Sequence, residues 1–145
     1  MIWYFDTSVL VAGAVANHPH HAPAFESLEA LIRLKHSGCT SAHSLAEMYS
    51  VLTRSPFQPP IYPAEAWQII DSMILPHLKL VTLDAKEYQD TVRTCAIQGW
   101  TGGKVHDAVH LRCAKKAKCD RIYTFNLRDF RALAPDELQN KISQP

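Results

Sequence analysis

Short apolar runs alternate with longer stretches of helical periodicity along this chain, and that alternation limits the folds open to it. Four short runs have the length and composition of strands: residues 2–5, 38–40, 78–82 and 121–124. Between them, apolar residues recur at the three- and four-residue spacing of a helix face, as in Leu45, Met48 and Leu52. This order is typical of βα units, so the sequence predicts an α/β fold with a mostly parallel sheet.

Glycine, proline and acidic residues mark the expected ends of the helices. We expect Gly38 to stop the helix that contains Phe25, and Pro63 to occupy the first turn of a later helix. Asp84, followed three residues later by Glu87, has the spacing of a capping box. Residues 141–143 are short and apolar enough to return to the edge of the sheet.

Length and composition narrow the class of protein. The chain has 145 residues, which predicts one domain over residues 1–145. It is 47% hydrophobic with a formal net charge of +1, so neither disorder nor a strong global attraction to a polyanion is indicated. No apolar run reaches the roughly 18 residues of a membrane span. We therefore expect a cytoplasmic protein that does not enter the membrane.

The cysteines support the same compartment. Cys39, Cys95, Cys113 and Cys119 are widely spaced, and no two of them form a Cys-x-x-Cys pair. An even number of cysteines leaves disulfides open, but scattered cysteines in a chain with a sizeable core are typical of buried, reduced thiols.

Three acidic residues lie in segments that a parallel sheet would bring together. Asp6 ends the first apolar run, Glu47 lies within the second helical pattern, and Asp107 opens the last long one. The carboxyl ends of parallel strands, and the starts of the helices that follow, face one crevice. Carboxylates gathered there are suited to a divalent metal, as in a nuclease.

Each acid also has an ordinary structural explanation. Asp6 has the position of an N-cap, and Glu47 lies three residues after Ser44 as in a capping box. Asp107 would be favoured in a first helical turn by the dipole alone. Asn126 and Asp129 have the spacing of an N-cap and its third helical residue. Only their joint placement favours a shared site.

Four short motifs follow one another along nearly the whole chain. They are Phe5 to Leu10 (FDTSVL), Ser44 to Glu47 (SLAE), Asp107 to Leu111 (DAVHL, just after Gly102 and Gly103) and Tyr123 to Phe130 (YTFNLRDF). In this order they resemble the PIN domain ribonucleases, and among these the VapC-type toxins of bacterial toxin–antitoxin systems.

The resemblance implies a three-layer α/β/α PIN-like fold and a magnesium-dependent site that cuts RNA, with Mn²⁺ as a possible substitute for Mg²⁺. Carried over by position, the catalytic set is Asp6, Glu47, Asp107, Asn126 and Asp129. Asp6 and Asp107 would bind the metal directly, and Glu47 would orient or deprotonate the attacking water. Asn126 stands where many relatives carry Asp, which removes one charge that a second ion would need.

Further expectations concern the substrate and the partners. We expect the hydroxyls of Thr7, Ser8 and Thr124 to position the phosphate. The resemblance also implies a homodimer and a small antitoxin that blocks the acidic site, often through an inserted arginine. Such an arginine would form two parallel hydrogen bonds with the carboxylates.

Other features have weaker functional interpretations. His106 and His110 have a zinc-compatible spacing, but a packed or cleft-lining pair is the favoured interpretation because no partner motif is evident. Trp100 is a candidate for the edge of the site. Two sets are expected to be solvated: the histidines His18, His20 and His21, and the basic residues Arg112, Lys115, Lys116, Lys118 and Arg121.

Two alternative functions stay open. A phosphotransfer or receiver-like domain would also place acids such as Asp6 and Asp84 after strands, but Ser8 stands where a second acid is needed in one such class. A catalytically silent PIN-like binding module would keep the pocket without the reaction. The complete set of three acids argues against it.

Overall fold

The sheet has five strands, and all of them are parallel. The computed structural model describes residues 1–145. Its strands are β1 (Ile2–Phe5), β2 (Ser37–Ser41), β3 (Leu78–Val81), β4 (Arg121–Tyr123) and β5 (Ile142–Ser143). Their order in the sheet is β3-β2-β1-β4-β5, which puts β1 at the centre. The predicted parallel sheet is confirmed, including the return of the chain to its edge as β5.

Helices cover both faces of the sheet and form the outer layers of an α/β/α fold. One set is α1 (Thr7–Ala14), α2 (His21–Arg33), α3 (His43–Arg54) and α4 (Pro63–Ile69), which continues as a π-helical turn over Ile70–Ile74. The other set is α5 (Ala85–Gln98), α6 (Lys104–Lys116), α7 (Leu127–Leu133) and α8 (Asp136–Gln139). The predicted three-layer architecture is therefore confirmed.

The alternation of side chains along β1 builds two separate cores. Trp3 and Phe5 point to the side of α1 to α4, and Tyr4 points to the side of α5 to α8. All three are buried, and burial of a large apolar side chain stabilises the fold by roughly 1.5–3 kcal/mol. A central strand that is apolar on both faces is held firmly, so the residue that follows it, Asp6, has a well-defined position.

The ends of α5 follow the sequence prediction. The Asp84 carboxylate accepts a hydrogen bond from the Glu87 amide at 2.8 Å, and the Glu87 carboxylate accepts one from the Asp84 amide at 3.2 Å. This is the predicted capping box. Gly99 ends the helix in the left-handed conformation with φ of 71°. Pro63 occupies the first turn of α4, also as predicted.

The prediction that Gly38 stops a helix is wrong. The second helix ends at Arg33, and Lys35 takes the left-handed conformation with φ of 54°. Gly38 lies within β2, opposite Leu78 of β3. A Cβ atom at Gly38 would come within 2.4 Å of Leu78 Cδ2 and 2.5 Å of Leu31 Cδ2. Any larger residue at Gly38 would therefore require these two buried leucines to shift.

All four cysteines are buried and free, as expected from their spacing. The closest pair, Cys39 and Cys119, has its sulfur atoms 3.4 Å apart. No helix combines the length and the hydropathy that a membrane crossing requires.

Gly38→Ala should lower the stability of the fold by about 1–3 kcal/mol, because the added methyl overpacks the contact between Leu31 and Leu78. Gly103→Ala is the control: a Cβ at Gly103 meets nothing within 4 Å, and its φ of −64° suits any residue. Urea unfolding followed by circular dichroism measures both variants. Equal stability of the two would show that the contact between the leucines yields without cost.

Candidate active site

The carboxyl ends of β1, β2 and β4 open toward one edge of the sheet, where the predicted acids meet. Asp6 directly follows β1, Glu47 lies in the second turn of α3, and Asp107 lies in the first turn of α6. Asn126 follows β4 and precedes α7. The structure brings all of them, together with Asp129, into one continuous set of polar contacts.

Asp6 is the most buried acid of this set, with 5% of its surface exposed. One carboxylate oxygen, Oδ2, accepts hydrogen bonds from Ser8 Oγ at 2.7 Å and from Thr124 Oγ1 at 2.8 Å. The other, Oδ1, lies 3.3 Å from His110 Nε2. The side chain makes no capping bond to α1, although Asp6 has the N-cap position. Its carboxylate is directed into the site instead.

Glu47 is anchored by a histidine. His110 Nε2 donates to Glu47 Oε1 at 2.8 Å, and Thr7 Oγ1 donates to the same oxygen at 3.4 Å. Burial raises the pKa of Glu47, but the hydrogen bond and the charge of His110 outweigh it, so the pKa lies below its ordinary value. The expected capping box with Ser44 does not form, because the Ser44 hydroxyl is buried against Thr40 Oγ1 at 2.7 Å.

Asp107 and Asp129 are bridged by an amide. Asn126 Nδ2 donates to Asp107 Oδ2 at 3.3 Å and to Asp129 Oδ2 at 3.2 Å. Asn126 makes no side-chain capping bond to α7. Burial and the nearby negative charge of Asp6, with smaller contributions from Asp129 and Glu47, raise the pKa of Asp107 from 3.8 to about 6.

None of these four carboxylates forms an ion pair with lysine or arginine. Every Lys or Arg ion pair of the chain involves another acid: Glu26, Glu87, Asp90 or Glu137. A group of close carboxylates that has no cationic side chain except histidine beside it is repulsive in its ionised state. Oxygen ligands of this kind fit a hard divalent cation such as Mg²⁺. The donor set therefore suits the metal that the sequence resemblance implies.

The histidine and tyrosine that support the acids were missed as site residues. His110 is 1% exposed, and its Nδ1 lies 2.6 Å from the Tyr4 hydroxyl, which also accepts from the Ser41 amide at 3.1 Å. Burial lowers the pKa of His110, but Glu47, Asp6 and Asp107 together raise it above the ordinary value. The spacing was the available signal, because His110 lies three residues after Asp107 on the same helix.

A second pair of histidines lies at the outer rim. His43 Nε2 is 3.0 Å from His106 Nδ1, and the two ring planes are nearly parallel, with an interplanar angle of 8°. His43 Nε2 is also 3.8 Å from Glu47 Oε1. His106 and His110, considered together in the sequence, thus belong to different clusters. His110 is packed, and His106 lines the cleft.

The three hydroxyls predicted to contact phosphate lie within the carboxylate network. Ser8 and Thr124 donate to Asp6, and Thr7 donates to Glu47. Thr124 is fully buried, and its Oγ1 also accepts a hydrogen bond from the backbone N–H of Asn126 at 2.9 Å. These contacts fix the positions of the acids, while contact with a phosphate stays a prediction.

The basic stretch at the end of α6 is remote from the acids. Lys115 pairs with Glu137 at 2.6 Å, and Lys116 pairs with Glu87 at 2.7 Å. Lys115 lies eight residues beyond Asp107 along one helix, which is about 12 Å. Lys115 and Lys116 are therefore solvent-exposed residues in local ion pairs, which agrees with the expectation that they are solvated.

Trp100 packs against the core on the side of α5 and α6. It lines a cavity of about 420 Å³ with Thr91, Leu111 and Ala132, and none of the predicted site residues lines this cavity. That position does not support the edge-of-site role predicted for it.

The three histidines from His18 to His21, expected to be solvated, are only partly so. His21 begins α2, and its Nδ1 donates to the Ala12 carbonyl at 2.9 Å. His20 is exposed and stacks on Phe125 with ring centroids 4.6 Å apart.

Asp107→Asn should raise the melting temperature of the metal-free protein at pH 7.5. Because the folded-state pKa of Asp107 is raised to about 6, its ionisation above that pH destabilises the folded state. The gain should disappear as the pH falls below 3.8, where the carboxyl is protonated in both states. For a chain of this length, each kcal/mol added to the free energy of unfolding raises the melting temperature by about 3 °C. Asp84→Asn, at a true helix cap, should show no gain in the same thermal scans.

Comparison with known families agrees with the geometry. The PIN domain family model matches residues 3–135. Ribonuclease VapC40 of Mycobacterium tuberculosis, found in two strains, is 33% identical over 123 residues, which cover 85% of each chain.

Solved structures share the fold. VapC20 of Mycobacterium tuberculosis, a sarcin-ricin loop cleaving toxin, superposes with a TM-score of 0.70 at 17% identity, covering 92% of this chain and 97% of that one. VapBC2 of Rickettsia felis, bound to a DNA fragment from its promoter, superposes with a TM-score of 0.64 at 17% identity. This match covers 99% of this chain and 98% of that one. With a family match across most of its length and a relative at 33% identity, the chain belongs to the PIN domain family and to its VapC-type ribonucleases.

Proposed function

We propose that this protein is a metal-dependent endoribonuclease that hydrolyses phosphodiester bonds in RNA, and that it is the toxin of a toxin–antitoxin pair. The observation that carries the proposal is the convergence of Asp6, Glu47 and Asp107 at one edge of the sheet without a lysine or arginine partner. Membership of the VapC-type ribonucleases supports the choice of RNA as substrate.

Asp6 and Asp107 would hold the cation, which we propose to be Mg²⁺, with Mn²⁺ as a substitute. When bound, such a cation polarises a phosphoryl oxygen and makes a bound water more acidic. The two carboxylates are fixed in advance by neutral donors, Ser8 and Thr124 for Asp6 and Asn126 for Asp107. Because Asn126 is uncharged, the site carries one negative charge fewer than a site with aspartate at that position, which favours one firmly held ion over two.

Glu47 would orient the attacking water and accept its proton. Its Oε1 atom is engaged by His110 and Thr7, which leaves Oε2 for the water. The lowered pKa keeps Glu47 ionised at neutral pH, as a proton acceptor must be. Asp129, joined to Asp107 through Asn126, would act through water at the outer side of the site.

Hydroxyl groups complete the assignment. Ser8 is the only one of the three that is not buried, so it is the best placed to reach a phosphate as well as Asp6. Thr7 and Thr124 would position substrate indirectly, by holding Glu47 and Asp6.

The alternative functions are less well supported. A silent binding module has no need for this arrangement, in which burial first and the negative charge of Asp6 second raise the pKa of Asp107. A phosphotransfer domain would use Asp84 as a second acid, but Asp84 caps α5 through Glu87.

Partners follow from the same assignment. An antitoxin that inserts an arginine would neutralise Asp6 and Asp107 by paired hydrogen bonds and displace the cation. The neighbouring VapBC2 assembly supports a partner of this kind. We further propose a homodimer acting in the cytoplasm.

Asp6→Asn should reduce RNA cleavage at least about a hundredfold, because loss of a metal-binding charge removes several kcal/mol of stabilisation from the transition state. The assay is cleavage of labelled total RNA with Mg²⁺, with Mn²⁺ and with EDTA. The wild type should cut with either metal and not with EDTA.

Asp84→Asn is the matched control, since it removes the charge of another acid that follows a strand, and asparagine caps a helix as well as aspartate. It should cut at the wild-type rate. Cleavage in EDTA, or a folded Asp6→Asn variant with full activity, would refute the assignment.

Tyr4→Phe should lower the cleavage rate by about ten- to a hundredfold, the size of effect seen when a residue that orients a metal-site side chain from outside is removed. The variant frees His110 and thereby loosens Glu47. Tyr123→Phe is the control, because that buried tyrosine lies on the next strand with its hydroxyl bonded to Arg121. The cleavage rate at saturating RNA reports the positioning of Glu47 separately from the binding of substrate. Equal rates for the two variants would remove Tyr4 from the mechanism.

A further inference from the structure

The outer histidine pair and Glu47 point to a metal site distinct from the carboxylate site. We propose that His43, Glu47 and His106 bind a divalent transition metal ion, with Zn²⁺ as the best fit. The site shares Glu47 with the proposed nuclease centre and uses two histidines that have no part in the assigned chemistry.

The distances suit one small ion. His43 Nε2 and His106 Nδ1 are 3.0 Å apart, and His43 Nε2 lies 3.8 Å from Glu47 Oε1. The three ligand atoms all lie within 4.8 Å of one another. Two nitrogen ligands of a tetrahedral Zn²⁺, each about 2.0–2.1 Å from the ion, are separated by about 3.3 Å. Small side-chain rotations would therefore complete the coordination.

The ligands are carried by firmly packed elements. His43 and Glu47 lie one turn apart on the same face of α3, and His106 lies in the first turn of α6. The first turn of α3 is fixed by Ser41 Oγ, which accepts from the His43 amide at 3.0 Å. In α6 the four residues from Ala108 to Leu111 are buried. A site on two anchored helices needs little rearrangement to bind.

The ligand types discriminate between metals. Imidazole nitrogens suit Zn²⁺ and its neighbours among the transition metals, whereas Mg²⁺ prefers oxygen. Two histidines and one glutamate are three protein ligands, which leaves a fourth position for water. His106 is exposed and His43 is half-buried, so an ion can reach the site from solvent.

Occupation of this site has a consequence for Glu47. Its Oε1 is the atom bonded to His110, and the same atom lies closest to His43. An ion held by the two histidines would compete with His110 for Glu47. Zn²⁺ should therefore suppress Mg²⁺-dependent cleavage, a consequence that rests on the proposed function, whereas binding itself does not.

A hydrogen bond between two neutral imidazoles explains the 3.0 Å contact equally well when considered alone. That explanation does not require Glu47 at the same point, and it predicts no affinity for metal. The loop histidines His18 and His20, whose ring centroids are 5.9 Å apart, form an internal comparison without a carboxylate among their contacts.

The test measures metal binding by the untagged full chain after removal of metal with EDTA and dialysis. Zn²⁺ is titrated by calorimetry, and Co²⁺ serves as a probe because its visible absorption reports tetrahedral nitrogen and oxygen coordination. Four variants are compared with the wild type: His106→Ala, His43→Ala, His20→Ala and Asp107→Asn. Circular dichroism establishes that each variant is folded. Because His106 is exposed, its replacement by alanine should disturb the fold least.

The wild type should bind one Zn²⁺, and His106→Ala and His43→Ala should each weaken the affinity by at least about tenfold. His20→Ala and Asp107→Asn should retain the wild-type affinity. The proposal is overturned if the wild type does not bind Zn²⁺, if His106→Ala binds as tightly as the wild type, or if Asp107→Asn alone loses affinity. The last result would place the ion at the carboxylates. Because no RNA is present, failure of the proposed nuclease function leaves this test unaffected.

Discussion

Negative charge gathered at the end of the central strand is the constraint on which the site depends. Asp6 is 5% exposed and directly follows β1, with Glu47 and Asp107 close enough to interact with its charge or its hydrogen-bonding partners. No lysine or arginine neutralises this group. Hydroxyl, amide and imidazole donors stabilise the ionised carboxylates and leave the site open to a cation that is not part of the chain.

Such an arrangement costs stability, and the two cores offset it. Asp107 destabilises the metal-free fold at neutral pH, because burial and the nearby charge of Asp6 raise its pKa to about 6. On either side of β1, large side chains such as Phe5 and Tyr4 are completely buried. Their packing holds the strand end rigidly. A fold with an apolar core on each face of its central strand can hold several charged side chains at the end of that strand.

The sequence predicts the structural role of a residue correctly where the local pattern and the global fold agree. The parallel sheet, the capping box of Asp84 and the convergence of Asp6, Glu47 and Asp107 follow from spacing and from the geometry of parallel strands. The prediction for Gly38 was wrong because a side chain there would contact Leu78, which is 40 positions away in the chain. Local sequence patterns do not report such a contact. The bond between Tyr4 and His110 spans 106 positions and is likewise a product of the tertiary structure.

The order of the site residues along the chain has a consequence for how the protein is made. Asp6 ends the central strand, but its neighbours in the sheet are β2 and β4, and β4 follows α6 in the sequence. Asp107, Asn126 and Asp129 are therefore the last partners to be synthesised, and the strand that leads to Asn126 must pair with β1 before the acids meet. Chains fold from the N-terminus as they are made. A ribosome-bound fragment lacking α6 and β4 has only part of the proposed centre, so an emerging chain cannot assemble that centre until most of its own translation is complete.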